Sequence, residues 1–403
     1  MNIVHIGVAD AILSVMESEM RKLVSVLPFG RLDRGTGEIS GVMAAVCGGL
    51  TCLTVTAMVW PDYLTTPGLR HLWALIDVRS AITAGLIATY AFALWNIANR
   101  VRNRGAVIGV GMGALAFALG GPDAKPVSAG SPLLTIGLDW LILGVLTTGP
   151  LFIAVEKARP LRRRQPIFRA KWTTDAIYFV VNHLLVGVFA IVTLWIASHA
   201  FGWAKIDRVA AWVQAMPLAV QFIVMWLVID FVFYWGHRAF HEHRLFWRFH
   251  SVHHSAEKMD WLASSRLHFL ESLFTRSATV LPVYLLGFSD AAIGIYLVYI
   301  GIHATLLHVN ADITFGPFEH IIVSPKNHHW HHAKEAEGVN KNYASQFAIY
   351  DRIFGTYYNP DHWPKAYGVM ANDVPQSFKG QLLHPFTKRD HTGWAAAKPP
   401  RRS

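Results

Sequence analysis

From Val42 onward, long apolar stretches alternate with short polar ones. Those at 42–60, 80–97, 105–120, 133–155, 176–200 and 217–236 each approach the ~20 residues that carry an α-helix across ~30 Å of hydrocarbon, so six spans are predicted. The third is short and rich in glycine and alanine, a composition that permits close helix packing. A further apolar stretch, Leu273 to Leu307, is interrupted by Pro282 and by Gly287-Phe288-Ser289-Asp290. It predicts a helical hairpin that dips into the bilayer and returns. Ahead of the first span, Ile12, Met16, Met20, Leu23 and Leu27 recur at helical spacing. They predict an amphipathic helix lying on the membrane surface or packed on the protein. At the amino terminus no basic region precedes an apolar one, and Asp10, Glu17 and Glu19 break up the first twenty residues, so no secretory signal is expected.

Composition agrees with a membrane protein: 53% of residues are hydrophobic and 15% charged, with a mean hydropathy of +0.32. Charge adds an orientation. Arg21, Lys22, Arg31 and Arg34 precede the first span; Arg100, Arg102 and Arg104 come after the second; Lys157, Arg159, Arg162, Arg163, Arg164, Arg169 and Lys171 come after the fourth. The alternate loops hold only Arg70 and Arg79, then Lys125, then Lys205 and Arg208. Because basic residues favour the cytoplasmic side, the amino terminus is expected there, and six crossings return the chain to that side near His237. The net charge of +10 does not point to nucleic acid, since the basic residues sit in short loops beside spans without interleaved aromatic residues. Anionic lipid headgroups match them better. Cys47 and Cys52 both fall inside the first span and read as small packing residues.

Candidate chemistry lies beyond His237. Fourteen of the 21 histidines fall between His237 and His332, and eight form spaced boxes: His237 with His241; His250, His253 and His254; His328, His331 and His332. Residues at i, i+3 and i+4 share one helical face, so each box presents its imidazoles together. Neutral imidazole suits iron, copper, nickel and zinc. Eight nitrogens exceed what one ion accepts, so two neighbouring ions are expected. His308, where the hairpin re-emerges, is a ninth candidate ligand. His268 reads as a ligand, a donor behind a ligand or a helix-interface residue, and His303 faces the same choice. Glu271, Asp312 and Glu319 are candidates for carboxylates that hold the second nitrogen of a ligating ring. His243, His320 and His329 read as ordinary structural residues. The fold expected overall is an all-α polytopic membrane helix bundle, with a helical cap at the cytoplasmic face carrying a histidine-rich dimetal site.

These boxes, with Arg266-x-His268-x-x-Glu271, His308-Val309-Asn310, Ser324-Pro325, Lys341-Asn342-Tyr343 and Asp351-Arg-Ile-Phe-Gly355-Thr356, resemble the fatty acid hydroxylase superfamily, also called the sterol desaturase family. The resemblance runs from about Lys171 to Gly368 and is strongest to the branch containing alkylglycerol monooxygenase and bacterial lipid hydroxylases. It implies two iron ions on the box histidines, dioxygen as co-substrate, and a membrane lipid whose acyl, alkyl or sterol C–H bond is hydroxylated. Desaturation at the same site is the alternative reading. The four amino-terminal spans lie outside the family core, and Phe269 stands where a proline is common. The resulting division is an amino-terminal membrane region at 1–155, a basic linker at 156–172, a catalytic domain at 173–360 and a basic tail at 361–403, whose last residues from Lys398 are expected to be disordered. No haem, Fe–S or dinucleotide motif is present, so a separate reductase or small electron carrier is implied, with Arg238, Arg244 and Arg248 as a docking face or as lipid-phosphate contacts. A zinc protease would need HExxH, and His241-Glu242-His243 lacks the second histidine. A metal transporter would spread its histidines along the spans.

Overall fold

The computed structural model describes residues 38–67, 70, 77–98, 104–127, 134–370 and 374–387. The amphipathic helix expected over Ile12 to Leu27 and the tail from Lys398 lie outside the described residues. Among those described, the chain is helical, with only isolated bridges, Pro160 to Ala311 and Ala333 to Tyr367, in place of strands. It divides into two compact units, one formed by residues up to Leu146 with His183–Val188, the other by Thr147–Asn182 and the residues from Phe189 onward.

In the first unit, α1 (Glu38–Val59), α2 (Val78–Ala98) and α3 (Arg104–Ala118) pack together. The small residues anticipated in the third span have a specific use. A Cβ on Gly109 would lie 2.4 Å from the backbone of Ala44, and one on Gly48 would lie 2.5 Å from the Gly109 carbonyl oxygen, so α1 and α3 meet backbone to backbone. Cys52, Val55, Ile82 and Leu86 fill the core, and both cysteines are free thiols. The outer faces of α2 and α3 are apolar yet exposed, with Leu94, Trp95, Ile97, Val107 and Phe117 all outward. Such a face suits hydrocarbon and not water.

Three further long elements are α4 (Leu138–Ala158), α5 (Trp172–Leu184) and α6 (Val186–Phe201). The single span expected at 176–200 is a correction: the helix breaks at residue 185, between α5 and α6. The Gly137 N–H donates to the Leu184 carbonyl, and a Cβ on Gly187 would lie 2.3 Å from the Thr135 carbonyl oxygen, so another stretch of backbone crosses at the break. The remaining apolar helix, α6 with its short extension, still counts as a crossing. Among the described residues, six helices are long and apolar enough to span a membrane: 40–59, 78–98, 104–123, 138–158, 186–204 and 218–242.

The second unit continues through α7 (Asp207–Gln214) to α8 (Leu218–Glu242), α9 (Arg244–His254), α10 (Phe269–Leu286), α11 (Asp290–Leu306), α12 (Pro325–His331), α13 (Ala348–Ile353) and α14 (Phe378–Leu383). α10 and α11 form the expected hairpin, turning at Gly287 with φ +67°. Pro282 does not interrupt α10. The hairpin packs along α8. Ser289 N donates to Gln221 Oε1 and Gln214 Nε2 to the Gly287 carbonyl, so its tip stands level with the start of α8, while both helices run beside α8 toward its histidine end.

Candidate metal centre

Three short stretches bring the boxes together. Box one occupies the last turns of α8, where His237 and His241 are buried one turn apart. The chain reverses at His243, and α9 carries box two, with His250, His253 and His254 buried. Box three lies on α12, which is only seven residues long but firmly started: Ser324 caps it reciprocally with Asn327, and Pro325 fills the first turn. Glu319 accepts from the Ser324 hydroxyl at 2.7 Å and fixes that cap.

The nine histidines fall into two groups. His237, His241, His250, His254 and His331 each offer a ring nitrogen, and those nitrogens lie within 4.8 Å of one another; His253, His308, His328 and His332 do the same. Boxes two and three divide by one rule. The i, i+4 pair stays together (His250 with His254, His328 with His332), and the i+3 histidine crosses to the other group. With 3.6 residues per turn, i+4 lies about 40° to one side of i and i+3 about 60° to the other, so one helix faces both groups. His253 and His331 are the exchanged members.

Ring tautomers show what the groups are built to hold. Nδ1 of His237 lies 2.6 Å from the Tyr343 carbonyl, that of His253 3.0 Å from the Arg266 carbonyl, that of His308 2.8 Å from the Ala304 carbonyl and that of His331 2.8 Å from the Lys341 carbonyl. A carbonyl only accepts, so each Nδ1 carries the proton and each neutral ring turns a bare Nε2 lone pair inward. His250 Nδ1 meets Glu271 at 2.6 Å in the same sense. Inward, His237 Nε2 and His250 Nε2 stand 3.0 Å apart, His253 Nε2 and His308 Nε2 3.4 Å apart, and His331 Nε2 is buried with no hydrogen-bond partner. Facing lone pairs repel unless a cation lies between them. Burial first, and then the neighbouring imidazoles, hold His250, His254, His328 and His332 well below the ordinary imidazole value, while burial holds His308 at about 4. The rings are therefore neutral, the form that ligates. All-nitrogen donor sets of five and four suit first-row transition ions and not magnesium or calcium.

Buried carboxylates hold the backbone at and after Tyr343. Asp351 accepts from the Tyr343 and Ala344 amides at 2.7 and 3.0 Å, and Asp230 from the amides of Ser345, Gln346 and Phe347. Arg266, whose carbonyl orients His253, is clamped through its guanidinium by Asp175. A cleft lined by His241, His254, His331, Trp247, Val339 and Met370 reaches the five-histidine group.

Residues 222–356 match the family model for fatty acid hydroxylase. This stretch is similar to fatty acid hydroxylases. It contains all nine histidines of the two groups. Ornithine lipid hydroxylase of Rhizobium tropici is 32% identical over 191 residues, covering 47% of this chain and 57% of that protein. Human alkylglycerol monooxygenase is 30% identical over 131 residues, 32% of this chain and 29% of the relative. A very-long-chain aldehyde decarbonylase of Oryza sativa subsp. japonica is 30% identical over 139 residues, 32% and 21% of the two chains. The chain thus spans little more than half of the first relative and under a third of the others. No solved structure matches it.

Within the matched residues, Glu271 reaches a box histidine, whereas four other candidates stand elsewhere. His268 caps α10: its Nδ1 accepts from the Leu270 amide at 3.2 Å and its Nε2 lies 3.1 Å from the Leu382 carbonyl, leaving no nitrogen for the groups. Asp312 is exposed and accepts from Trp363 Nε1 at 3.1 Å. Glu319 serves the α12 cap, and His303 bonds the Ser345 carbonyl. His329 is engaged on both sides, by Tyr367 Oη at 2.8 Å and the Val309 carbonyl at 3.1 Å. His243 packs against Phe246, and His320 meets Tyr357 Oη. The backbone partners at Arg266, Ala304, Lys341 and Tyr343 are invisible to sequence reasoning, because a carbonyl leaves no trace in residue identity. Asp351 stands out in the sequence only as part of a motif.

Proposed function

We propose that this chain is a membrane-bound di-iron oxygenase that hydroxylates a lipid C–H bond with dioxygen and two external electrons, the nine grouped histidines being the iron ligands. The observation that carries the reading is the pair of groups with lone pairs turned inward. Zinc would satisfy the same nitrogens but cannot change oxidation state, and the relatives are named as an ornithine lipid hydroxylase, an alkylglycerol monooxygenase and a very-long-chain aldehyde decarbonylase. Bound iron supplies the oxidising power that acid or base lacks toward an unactivated methylene. The balance is R–H, O2, two electrons and two protons giving R–OH and H2O. The protein's part is to keep nine imidazoles neutral and oriented. Carbonyls and Glu271 hold five Nδ1 protons outward, and burial excludes bulk water from the rings.

The side of the membrane is part of the same reading. Basic residues crowd the stretch before the first span and the loops after the second and fourth, and both groups sit at the His237 end of α8, so the site and the amino terminus are assigned to the cytoplasmic face. A reductase or small electron carrier approaches there, and Arg244 is exposed on that end of α9.

Glu271→Gln is a direct check of the outer partners. Replacing the carboxyl that faces His250 Nδ1 at 2.6 Å by an amide is expected to lower metal affinity about 10–100-fold with the fold retained. Iron retained through chelator washing reads it out, and unchanged retention contradicts the role. For the activity, purified protein is supplied with iron, dioxygen, reductant and a membrane lipid extract and the products are weighed. A lipid heavier by one oxygen is expected; loss of two hydrogens instead identifies a desaturase, and bound zinc without oxygen consumption contradicts the oxygenase reading.

A further inference from the structure

The segment 156–172, read from sequence as a linker, lies before the matched residues 222–356 yet makes a dense set of buried bonds. Glu156 is buried, and its Oε1 accepts from the Asn310 amide at 3.1 Å and the Trp261 amide at 2.7 Å. Asn310, two residues after His308, gives all its remaining polar atoms to the same segment: its carbonyl accepts from Leu161 N, its Oδ1 from Arg162 N at 2.8 Å, and its Nδ2 donates to the Arg162 carbonyl. Pro160 bridges Ala311, and the Asp312 amide donates to the Arg159 carbonyl. Further along, Gln165 Nε2 donates to the Met259 carbonyl at 2.8 Å. Arg169 grips Asp260 through two bonds of 2.7 and 2.8 Å and Asp175 through one of 2.6 Å. Asp175 in turn holds Arg266, whose carbonyl orients His253.

Both chains of contact end at the four-histidine group. In that group only His253 and His308 have an outer partner for Nδ1; Nδ1 of His328 and of His332 is buried without one. The segment reaches both oriented rings, His253 through Arg266, whose carbonyl supports it, and His308 through Asn310, two residues along the chain. The five-histidine group takes its supports from Tyr343, Lys341 and Glu271. We propose that residues Glu156 to Arg169 are a positioning strap for the second metal site alone, acting through Asn310 on His308 and through Asp175 and Arg266 on His253.

The inference rests on the di-iron reading, and its test separates the two. Iron is counted in the purified full-length protein, and Mössbauer spectra report whether the two ions, in unlike nitrogen surroundings, give separate signals. Wild type is expected to hold two ions; fewer would overturn the di-iron reading and the strap with it. Asn310→Ala is expected to lose one ion of the two, with one signal vanishing and the other unchanged. Asn310→Asp, which keeps the acceptor for Arg162 N but sets a carboxylate oxygen against the Arg162 carbonyl, is expected to lose that signal in part, and it serves where the alanine variant does not fold. Two ions retained in both variants, or both signals falling together, overturn the strap.

Discussion

His253→Ala is expected to abolish metal-dependent lipid oxidation, while His329→Ala, two residues from His331, leaves the metal in place. The two side chains are alike in burial and differ in what their nitrogens face. His253 turns Nε2 toward His308 at 3.4 Å with Nδ1 fixed on the Arg266 carbonyl, and it is the box-two histidine that crosses to the other group. Its removal leaves three nitrogens at that group. Because losing an outer partner already costs about 10–100-fold, loss of a ligand is expected to lower activity by roughly 100-fold or more. His329 has both nitrogens committed to Tyr367 and Val309, so its removal costs buried hydrogen bonds and no ligand. Iron content and turnover of the two variants decide it. Equal metal content in both contradicts the assignment.

The largest effect on stability is expected from Asp175→Ala. Asp175 is fully buried and accepts from both Arg169 and Arg266. Without it, Arg169 keeps Asp260, but Arg266 is left with only Ser255 Oγ at 3.2 Å. An uncompensated buried charge costs about 3–5 kcal/mol, a large share of the roughly 5–15 kcal/mol typical of a folded domain. Thermal unfolding in detergent should show a strongly lowered midpoint, with Asp175→Asn between the two. A loss under about 1 kcal/mol would mean that the guanidiniums find water or other partners.

What was legible in the sequence is what depends on local spacing. The boxes show because i, i+3 and i+4 converge whatever the rest of the chain does, and the glycines of α3 show because close helix packing selects for missing side chains. His308 was legible from its place at the end of an apolar hairpin. What escaped depends on chain path. His268 and Asp312 stand beside motif residues in sequence, yet one caps α10 and the other lies on the surface. The strap was hidden for the same reason: Arg162 meets Asn310 and Arg169 meets Asp260 across 148 and 91 residues, and a basic stretch with two prolines carries no local sign of such partners. The break between α5 and α6 arose from a crossing backbone at Thr135 and Gly137, which no pattern within 176–200 records. The exchange of His253 and His331 between groups is a consequence of helix geometry, but only once the groups are known to be two.

The central claim is that these nine imidazoles surround two ions side by side. Anomalous scattering measured at the iron edge on crystals of the iron-loaded protein tests it most directly. Two peaks a few ångströms apart are expected, one within the ring of His237, His241, His250, His254 and His331 and the other within that of His253, His308, His328 and His332. A single peak, or peaks away from these rings, would contradict it.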